Sequence, residues 1–323
     1  MNSMADLSPM SQSTSHIFMI RPHSFRMNEE TAENNFYQKS GNGQASETII
    51  EMAQQEFEGL VNALENEGIH VLVFDESEPY ETPDALFPNN WISTHENGAI
   101  ALFPMFAPNR RKERREDIPL SLEHDFKFDV QELVDFTEFE EHQKFLEGTG
   151  SIVLDRVHRK AYAALSARTD ERALHHFCAY FDYEPIAFVA NQTINNLRLP
   201  IYHTNVMMSI GSQFAAICLD SIDDLEERAM VKKSLMDDGH DLIELAEEQI
   251  NQFAGNMLEL QGQTGAILVM SSAAFQSLDS EQIGRLENHA KLVHSDLNTI
   301  ETLGGGSARC MIAEIHLPLQ SQA

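Results

Sequence analysis

Cysteine is scarce in this chain of 323 residues. Cys178, Cys218 and Cys310 are too few for a disulfide framework and form no Cys-x-x-Cys pair. A His-Glu-x-x-His segment is also missing, so neither a structural zinc nor a zincin site is expected, and no metal or organic cofactor. Cations are outnumbered, with 22 Lys and Arg against 51 Asp and Glu, a formal net charge of −29. Such a chain lacks the positive charge that neutralises phosphates, which excludes nucleic acid as a partner. The acidity is read as solvated helix faces that keep the protein dispersed. No apolar run approaches the roughly 20 residues that span a bilayer, so no membrane partner is expected. The N-terminal stretch is polar and lacks the apolar segment of a signal peptide. Few cysteines and no leader predict a cytoplasmic protein.

What is present is ordinary globular composition, 42% hydrophobic and 23% charged. Residues 1–15 are expected to be a flexible tail, 16–318 a single domain, and 319–323 a second tail. Ile49, Ile50, Ala53, Phe57, Leu60, Val61 and Leu64 recur at helical spacing, predicting a helix over 46–66 with Ser46 as its cap. A strand over Ile69–Phe74 follows. Three hairpins are predicted: Trp91–Thr94 with Ala99–Phe103 around Asn97-Gly98, Ser151–Leu154 with Ala161–Leu165, and Val206–Ile210 with Phe214–Leu219. Helices are expected after Thr169, over about 222–236, over Asp241–Phe253 ending at Gly255, and after Ser280. The recurrent order is strand, strand, helix, strand, and about five such units fit between residues 16 and 318.

That order gives position a meaning. Asn89-Asn90, Glu147 and His203 each stand just before the first strand of a hairpin. Similar units would carry them to equivalent ends, where several loops on a rigid scaffold can build one site. Near the end of the chain stands Gly304-Gly305-Gly306-Ser307-Ala308-Arg309-Cys310. Three glycines allow close backbone approach ahead of the cysteine. A lone Cys with a distant His and carboxylate is the minimum set for thiol catalysis, although core packing is the default for a free cysteine.

Pro88-Asn89-Asn90-Trp91, Glu147-Gly148, Leu165-Ser166-Ala167-Arg168-Thr169, His203-Thr204-Asn205 and the glycine-led Cys310 occur in the order and spacing of the pentein superfamily. These are the guanidine-modifying enzymes: arginine deiminases, dimethylarginine hydrolases and amidinotransferases. The resemblance covers about 300 residues and is greatest to the subgroup of citrulline-utilising hydrolases. It implies an α/β propeller, five ββαβ-type units around a pseudo-fivefold axis. It also implies Cys310 as nucleophile, His203 as general acid and base, and Glu147 as the carboxylate contacting His203 or substrate. Arg168 would bind the substrate's carboxylate with its fork of donors. Asn90 and the amides of Gly305 and Gly306 are candidates to hold a developing oxyanion.

Departures from the superfamily pattern point to the substrate. Deiminases clamp a cationic guanidinium with carboxylates, and the matching positions here are His95 and Asn205. Gly150 replaces a further Asp. A neutral ureido group suits amide and imidazole partners better than a cation does. The resemblance therefore implies hydrolysis of L-citrulline to L-ornithine, carbon dioxide and ammonia. A guanidine hydrolase and an amidinotransferase are the alternatives, and a homo-oligomer is left open.

Other features have plain readings. Cys178 and Cys218 lie in apolar patterns and are expected in the core, as is Trp91. His175-His176, His289 and His294 are expected to be structural or solvated, with no acidic cluster to suggest a metal. The basic run Arg110-Arg111-Lys112-Glu113-Arg114-Arg115 is expected to be a solvated loop; docking to an acidic surface or gating of the site is the other reading.

Overall fold

Five sheets in this chain share one construction. The computed structural model describes residues 11–39, 45–78 and 82–320. Among them, each sheet has an antiparallel pair of strands and a third strand parallel to the second. Unit 1 pairs Ile92–Thr94 with Ala99–Leu102 and then Glu132–Asp135. Unit 2 uses Val153–Asp155, Lys160–Ala164 and Glu184–Phe188. Unit 3 uses Met208–Ile210, Phe214–Ile217 and Asp241–Glu244. Unit 4 uses Leu258–Gly262, Gly265–Ser271 and Lys291–Ser295.

Unit 5 is assembled from both ends of the chain. Ala313–Glu314 pairs antiparallel with His16–Arg21, which runs parallel to His70–Asp75. The last strand is thereby fastened to the first. A sixth, two-stranded sheet, Asn191–Ile194 with Leu197–Pro200, stands apart from this pattern.

A parallel pair needs a crossover, and each unit supplies a helix for it. These are Asp117–His124, Glu171–Phe181, Leu225–Asp237, Ser280–Glu287 and, in unit 5, Ser46–Asn66. The fold is thus mixed α/β with small sheets. Ser46–Asn66 buries Ala53, Phe57, Leu60, Val61 and Leu64, the stripe that its periodicity predicts. It packs on Lys291–Ser295 and on the helix Asn298–Gly304, which leads into the Cys310 loop. The middle strands are the most enclosed: Phe18, Ile100, Ala163 and Ala216 are fully buried. Among the described residues, no helix is long and apolar enough to cross a membrane.

Several expectations are corrected. Asp241–Glu244 is a strand, not the start of a helix, because its Leu242 and Ile243 complete the parallel ladder beside Phe214–Ile217. Helix remains only at Glu247–Ile250. Short apolar runs do not distinguish helix from strand, and pairing decides. Ser46 is the first helical residue and Ala45 the cap position. Asp170, not Thr169, caps the unit 2 helix, accepting from the amides of Arg172 and Ala173. The expected N-terminal tail does not extend to residue 15. Buried Gln12 donates to the carbonyls of Leu154 (2.9 Å) and Ile210 (3.2 Å) and accepts from the Arg156 amide (2.8 Å). At the other end, the Gln320 amide donates to the Lys127 carbonyl at 2.8 Å. Residues 1–10 and 321–323 lie outside the described residues.

Candidate active site

Each unit's first strand is entered through a short turn. In unit 1 this is the 3-10 helix Pro88–Asn90, in unit 2 the single turn Gly148–Ser151 after Glu147, and in unit 3 Thr204–Val206 after His203. Asn256 stands two residues before the first strand of unit 4, and Ala308–Met311 carries Cys310 ahead of unit 5's Ala313–Glu314. Gly148–Ser151 touches both Pro88–Asn90 and Thr204–Val206, and Pro88–Asn90 touches Ala308–Met311. Equivalent positions in five sheets are thus drawn to one place.

Hydroxyls fix these turns. Thr204 Oγ1 donates to the Ser151 carbonyl (2.6 Å) and accepts from the Ala164 amide (2.7 Å). Ser151 Oγ donates to the Arg168 carbonyl (2.8 Å) and accepts from the Glu147 amide (2.9 Å). Gly150 is required by crowding. A Cβ there would stand 2.3 Å from Asn90 Nδ2 and 2.7 Å from His203 Nδ1. Its neighbours are side chains of the site itself, so the missing carbon is what lets Asn90 and His203 approach each other.

Cys310 is buried, and two carboxamides point at its sulfur. Asn256 Nδ2 lies 3.2 Å and Asn205 Nδ2 3.4 Å from Sγ. Glu147 is fully enclosed. Its Oε1 accepts from the Phe106 amide at 2.9 Å, and its Oε2 meets His203 Nε2 at 2.7 Å and Arg168 Nη1 at 3.5 Å. Burial alone raises a carboxyl pKa; the Arg168 cation and the His203 hydrogen bond outweigh it and hold Glu147 at about 2. For His203 burial dominates, and it is lowered to about 4 despite the Glu147 bond that opposes this. An ionised Glu147 can only accept, so His203 Nε2 carries the hydrogen and Nδ1 is the free base.

Arg168 has a full set of partners. Its Nε and Nη2 donate to Asn34 Oδ1 (2.8 and 2.5 Å), and Nη2 also donates to the Thr31 carbonyl (3.0 Å). Its guanidinium carbon lies 4.9 Å from the Tyr202 ring centroid. A narrow cavity separates these groups from the thiol. Asp84, Asn90, Arg110, Arg168, His203 and Cys310 line it, with Gly304 and Gly306 on the loop side.

Asp84 and Arg110 were not among the expected site residues. Arg110 belongs to the basic run, yet it is 2% exposed. The 3-10 turn Arg110–Glu113 brings Glu113 onto Arg110, with Nη2 to Oε2 at 2.8 Å, while Nη1 donates to Asn90 Oδ1 at 2.8 Å. Nη2 also reaches the Phe87 carbonyl at 3.2 Å. The solvated-loop expectation fails at Arg110 and Glu113, although Arg115 pairs with exposed Asp117. Asp84 Oδ2 accepts from Asn28 Nδ2 (2.8 Å), and its Oδ1 has no hydrogen-bond partner among the described residues. The cavity wall therefore keeps a carboxylate that inspection of the two substituted positions did not find.

His95 and Gly305 depart from expectation, whereas Cys178, Cys218, His175, His176, His289 and His294 lie as expected. His95 is not on the cavity: it stacks on Phe181 at 3.8 Å, and its Nε2 meets Ser93 Oγ at 2.9 Å. It follows the first strand of its hairpin rather than preceding it, which carries it away from the entry turns. The Gly305 amide donates to the Glu301 carbonyl (3.0 Å) and is not free to hold an oxyanion. Gly305 instead ends its helix in the left-handed region, at φ 64°. Cys178 and Cys218 are buried and unpaired, and burial pushes the Cys178 thiol up to about 12. His175 and His176 are exposed, while His289 and His294 bond to Asp241 and Ser272. A His and carboxylate set does exist elsewhere: Asp155, His158 and His240 bring potential ligand atoms within 4.8 Å of one another. They are joined by mutual hydrogen bonds at 2.7–3.0 Å.

Five sheets of one construction, entry turns that converge, and a cysteine beside a histidine–glutamate pair define a pentein, of the superfamily of guanidino-modifying enzymes. More narrowly, the chain belongs to the family N,N dimethylarginine dimethylhydrolase, eukaryotic, whose family model matches residues 21–317. No curated protein matches it significantly. Among solved structures it is similar to ArgZ, an arginine dihydrolase from the ornithine-ammonia cycle in cyanobacteria, at 15% identity and TM-score 0.72. That match covers 94% of this chain and 41% of ArgZ, so the chain spans about two-fifths of that protein's length. The product-bound N-terminal domain of ArgZ matches over 95% of this chain and 99% of its own, at 15% identity and TM-score 0.69. A citrulline complex of the dimethylarginine hydrolase from Pseudomonas aeruginosa matches over 94% and 99%, at 15% identity and TM-score 0.64. At such identity the likeness is one of fold.

Proposed function

We propose that this pentein is a cysteine-dependent hydrolase of L-citrulline that releases L-ornithine, carbon dioxide and ammonia. The supporting observation is the set of carboxamides around the thiol. Asn205 and Asn256 reach Sγ, and Asn90 Nδ2 and Asn256 Oδ1 are buried without partners among the described residues. A ureido group is neutral, with a carbonyl that accepts and N–H groups that donate. Carboxamides answer both needs, whereas a carboxylate only accepts.

Cys310 Sγ attacks the ureido carbon, and the thiol proton passes to His203 Nδ1. Nδ1 then hands it to the departing nitrogen, leaving a thiocarbamoyl cysteine. Water gives a proton to Nδ1 and attacks that carbon, and Cys310 leaves as the thiol. The released carbamate yields carbon dioxide and amine. Glu147 holds the imidazole in the required tautomer and supports its charged form during transfer. Asn90 Nδ2 is the oxyanion donor in this account, replacing Gly305. Arg168 takes the substrate's α-carboxylate once Asn34 yields its place, and Asp84 Oδ1 takes the α-ammonium. The five units close around a pseudo-fivefold axis, with the entry turns at its centre. The protein works in the cytoplasm, where its three unpaired thiols would persist.

A second reading has its own support. The free Asp84 oxygen on the cavity wall would also pair with a guanidinium. The family description and the arginine dihydrolase point the same way, toward arginine or a methylated arginine. Product analysis tests the proposal: the protein with citrulline and no added amine should form ornithine and ammonia, and Cys310→Ser should form neither. Citrulline left intact, with arginine consumed, would replace the first reading by the second.

A further inference from the structure

Asn256 was not among the residues that the sequence singled out, yet it touches the reacting atom. It is fully buried. Its Nδ2 carries two hydrogens, and both have partners, the Asn205 carbonyl at 2.9 Å and Cys310 Sγ at 3.2 Å. The reverse orientation would set Oδ1 against a carbonyl oxygen, so the Asn205 backbone fixes which end faces the sulfur. Asn205 Nδ2 completes the pair at 3.4 Å, nearer the sulfur than its own Oδ1, which accepts from the Cys310 thiol at 3.8 Å. Asn205 lies in the turn that enters unit 3, and Asn256 stands two residues before the first strand of unit 4.

The charged groups around Cys310 are already engaged. Arg309, its chain neighbour, donates to Glu314 and to the Ile312 carbonyl. Arg168 and Arg110, across the cavity, pair with Glu147 and Glu113. Asp84, on the same wall, bonds to Asn28 and Thr31. Tyr202 donates to the Gly305 carbonyl. His203 is neutral at neutral pH, because burial lowers it to about 4, so it supplies no cation to the sulfur at rest.

We infer that Asn256 is a catalytic residue: together with Asn205 it steadies, by two N–H···S hydrogen bonds, the negative charge that Cys310 Sγ takes on as its proton passes to His203 Nδ1. The kinetic part of this inference rests on the hydrolase reading above; the thiolate part does not.

The test is the ionisation of Cys310 in the intact protein, read from the pH dependence of iodoacetamide alkylation and from thiolate absorbance near 240 nm. Cys310→Ser gives the background from Cys178 and Cys218. Asn256→Ala should raise the Cys310 pKa by about one unit, a roughly tenfold loss of thiolate at a pH below both values. Asn205→Ala should do likewise, and Asn205→Asp should raise it further by placing an anion at the sulfur. With citrulline as substrate, Asn256→Ala should lower kcat more than it raises KM. An unchanged thiol pKa in folded Asn256→Ala would overturn the inference, since a residue that only braces the turn would alter stability alone. Should Asn256→Ala not fold, Asn205→Ala decides the matter by the same readout. Because alkylation needs no substrate, a wrong substrate assignment leaves this result intact.

Discussion

Glu147 Oε2 meets His203 Nε2 at 2.7 Å inside the protein, and this one contact assigns the chemistry of the imidazole. The carboxylate stays ionised, the hydrogen stays on Nε2, and Nδ1 faces Asn90 across Gly150.

The pH profile follows from that pair. In the proposed mechanism His203 must be unprotonated at Nδ1 to receive the thiol proton, and burial lowers it to about 4. The acid limb of kcat/KM should therefore lie near pH 4, below the ordinary histidine value of about 6.5. Activity should be independent of His203 ionisation from about pH 5 upward. Glu147→Gln removes the counter-charge and the Nε2–H acceptor, and should cut kcat severely while moving this limb. An acid limb near 6.5 in the parent protein would show that His203 works as an exposed histidine does.

Arg110 should matter to stability as well as to the site. It is 2% exposed, paired with Glu113, and braces Asn90 and the Phe87 carbonyl. Arg110→Ala leaves Glu113 buried without its partner, a change that costs about 3–5 kcal/mol. Urea unfolding should show a loss of that order, with a lowered kcat because Asn90 is no longer held. A surface-like effect below about 0.5 kcal/mol would restore the reading of this run as a solvated loop.

Arg110 also shows where sequence reasoning stops. All five of its neighbours in the run are charged, so nothing local separates it from a solvated arginine; its partners, the Asp84 carbonyl and Asn90, come from 26 and 20 residues earlier. Asn256 was hidden because the hairpin of unit 4, Leu258–Gly262 with Gly265–Ser271, was not recognised in the sequence. Had it been, the position before its first strand would have singled out Asn256 as it did Asn90, Glu147 and His203. Unit 5 was beyond local reading, since it joins Ala313–Glu314 to His16–Arg21 across nearly the whole chain. The six residues Cys310, His203, Glu147, Arg168, Asn90 and Asn205 were legible from motif and order, and all lie at or against the cavity. His95, matched to the superfamily pattern after the Pro88–Trp91 segment, lies off the cavity because it follows the first strand of its hairpin.

Arg168 and Asn34 give a test of substrate seating. Asn34 Oδ1 accepts from two nitrogens of the guanidinium, as a carboxylate would. Arg168→Ala should raise KM for citrulline strongly, and the α-amide of citrulline should lose less than the free acid does. Asn34→Ala should leave kcat nearly unchanged and lower KM, because a competing acceptor is gone. An unchanged KM in Arg168→Ala would confine this arginine to orienting Glu147.

The choice of substrate is settled most directly by one ratio, kcat/KM for citrulline over kcat/KM for arginine, measured on the unmodified protein with dimethylarginine as a third substrate. The carboxamide set around Cys310 predicts a ratio well above one, with ornithine as the product. A ratio below one, or citrulline accumulating from arginine or dimethylarginine, would contradict it and assign the free Asp84 oxygen to a guanidinium.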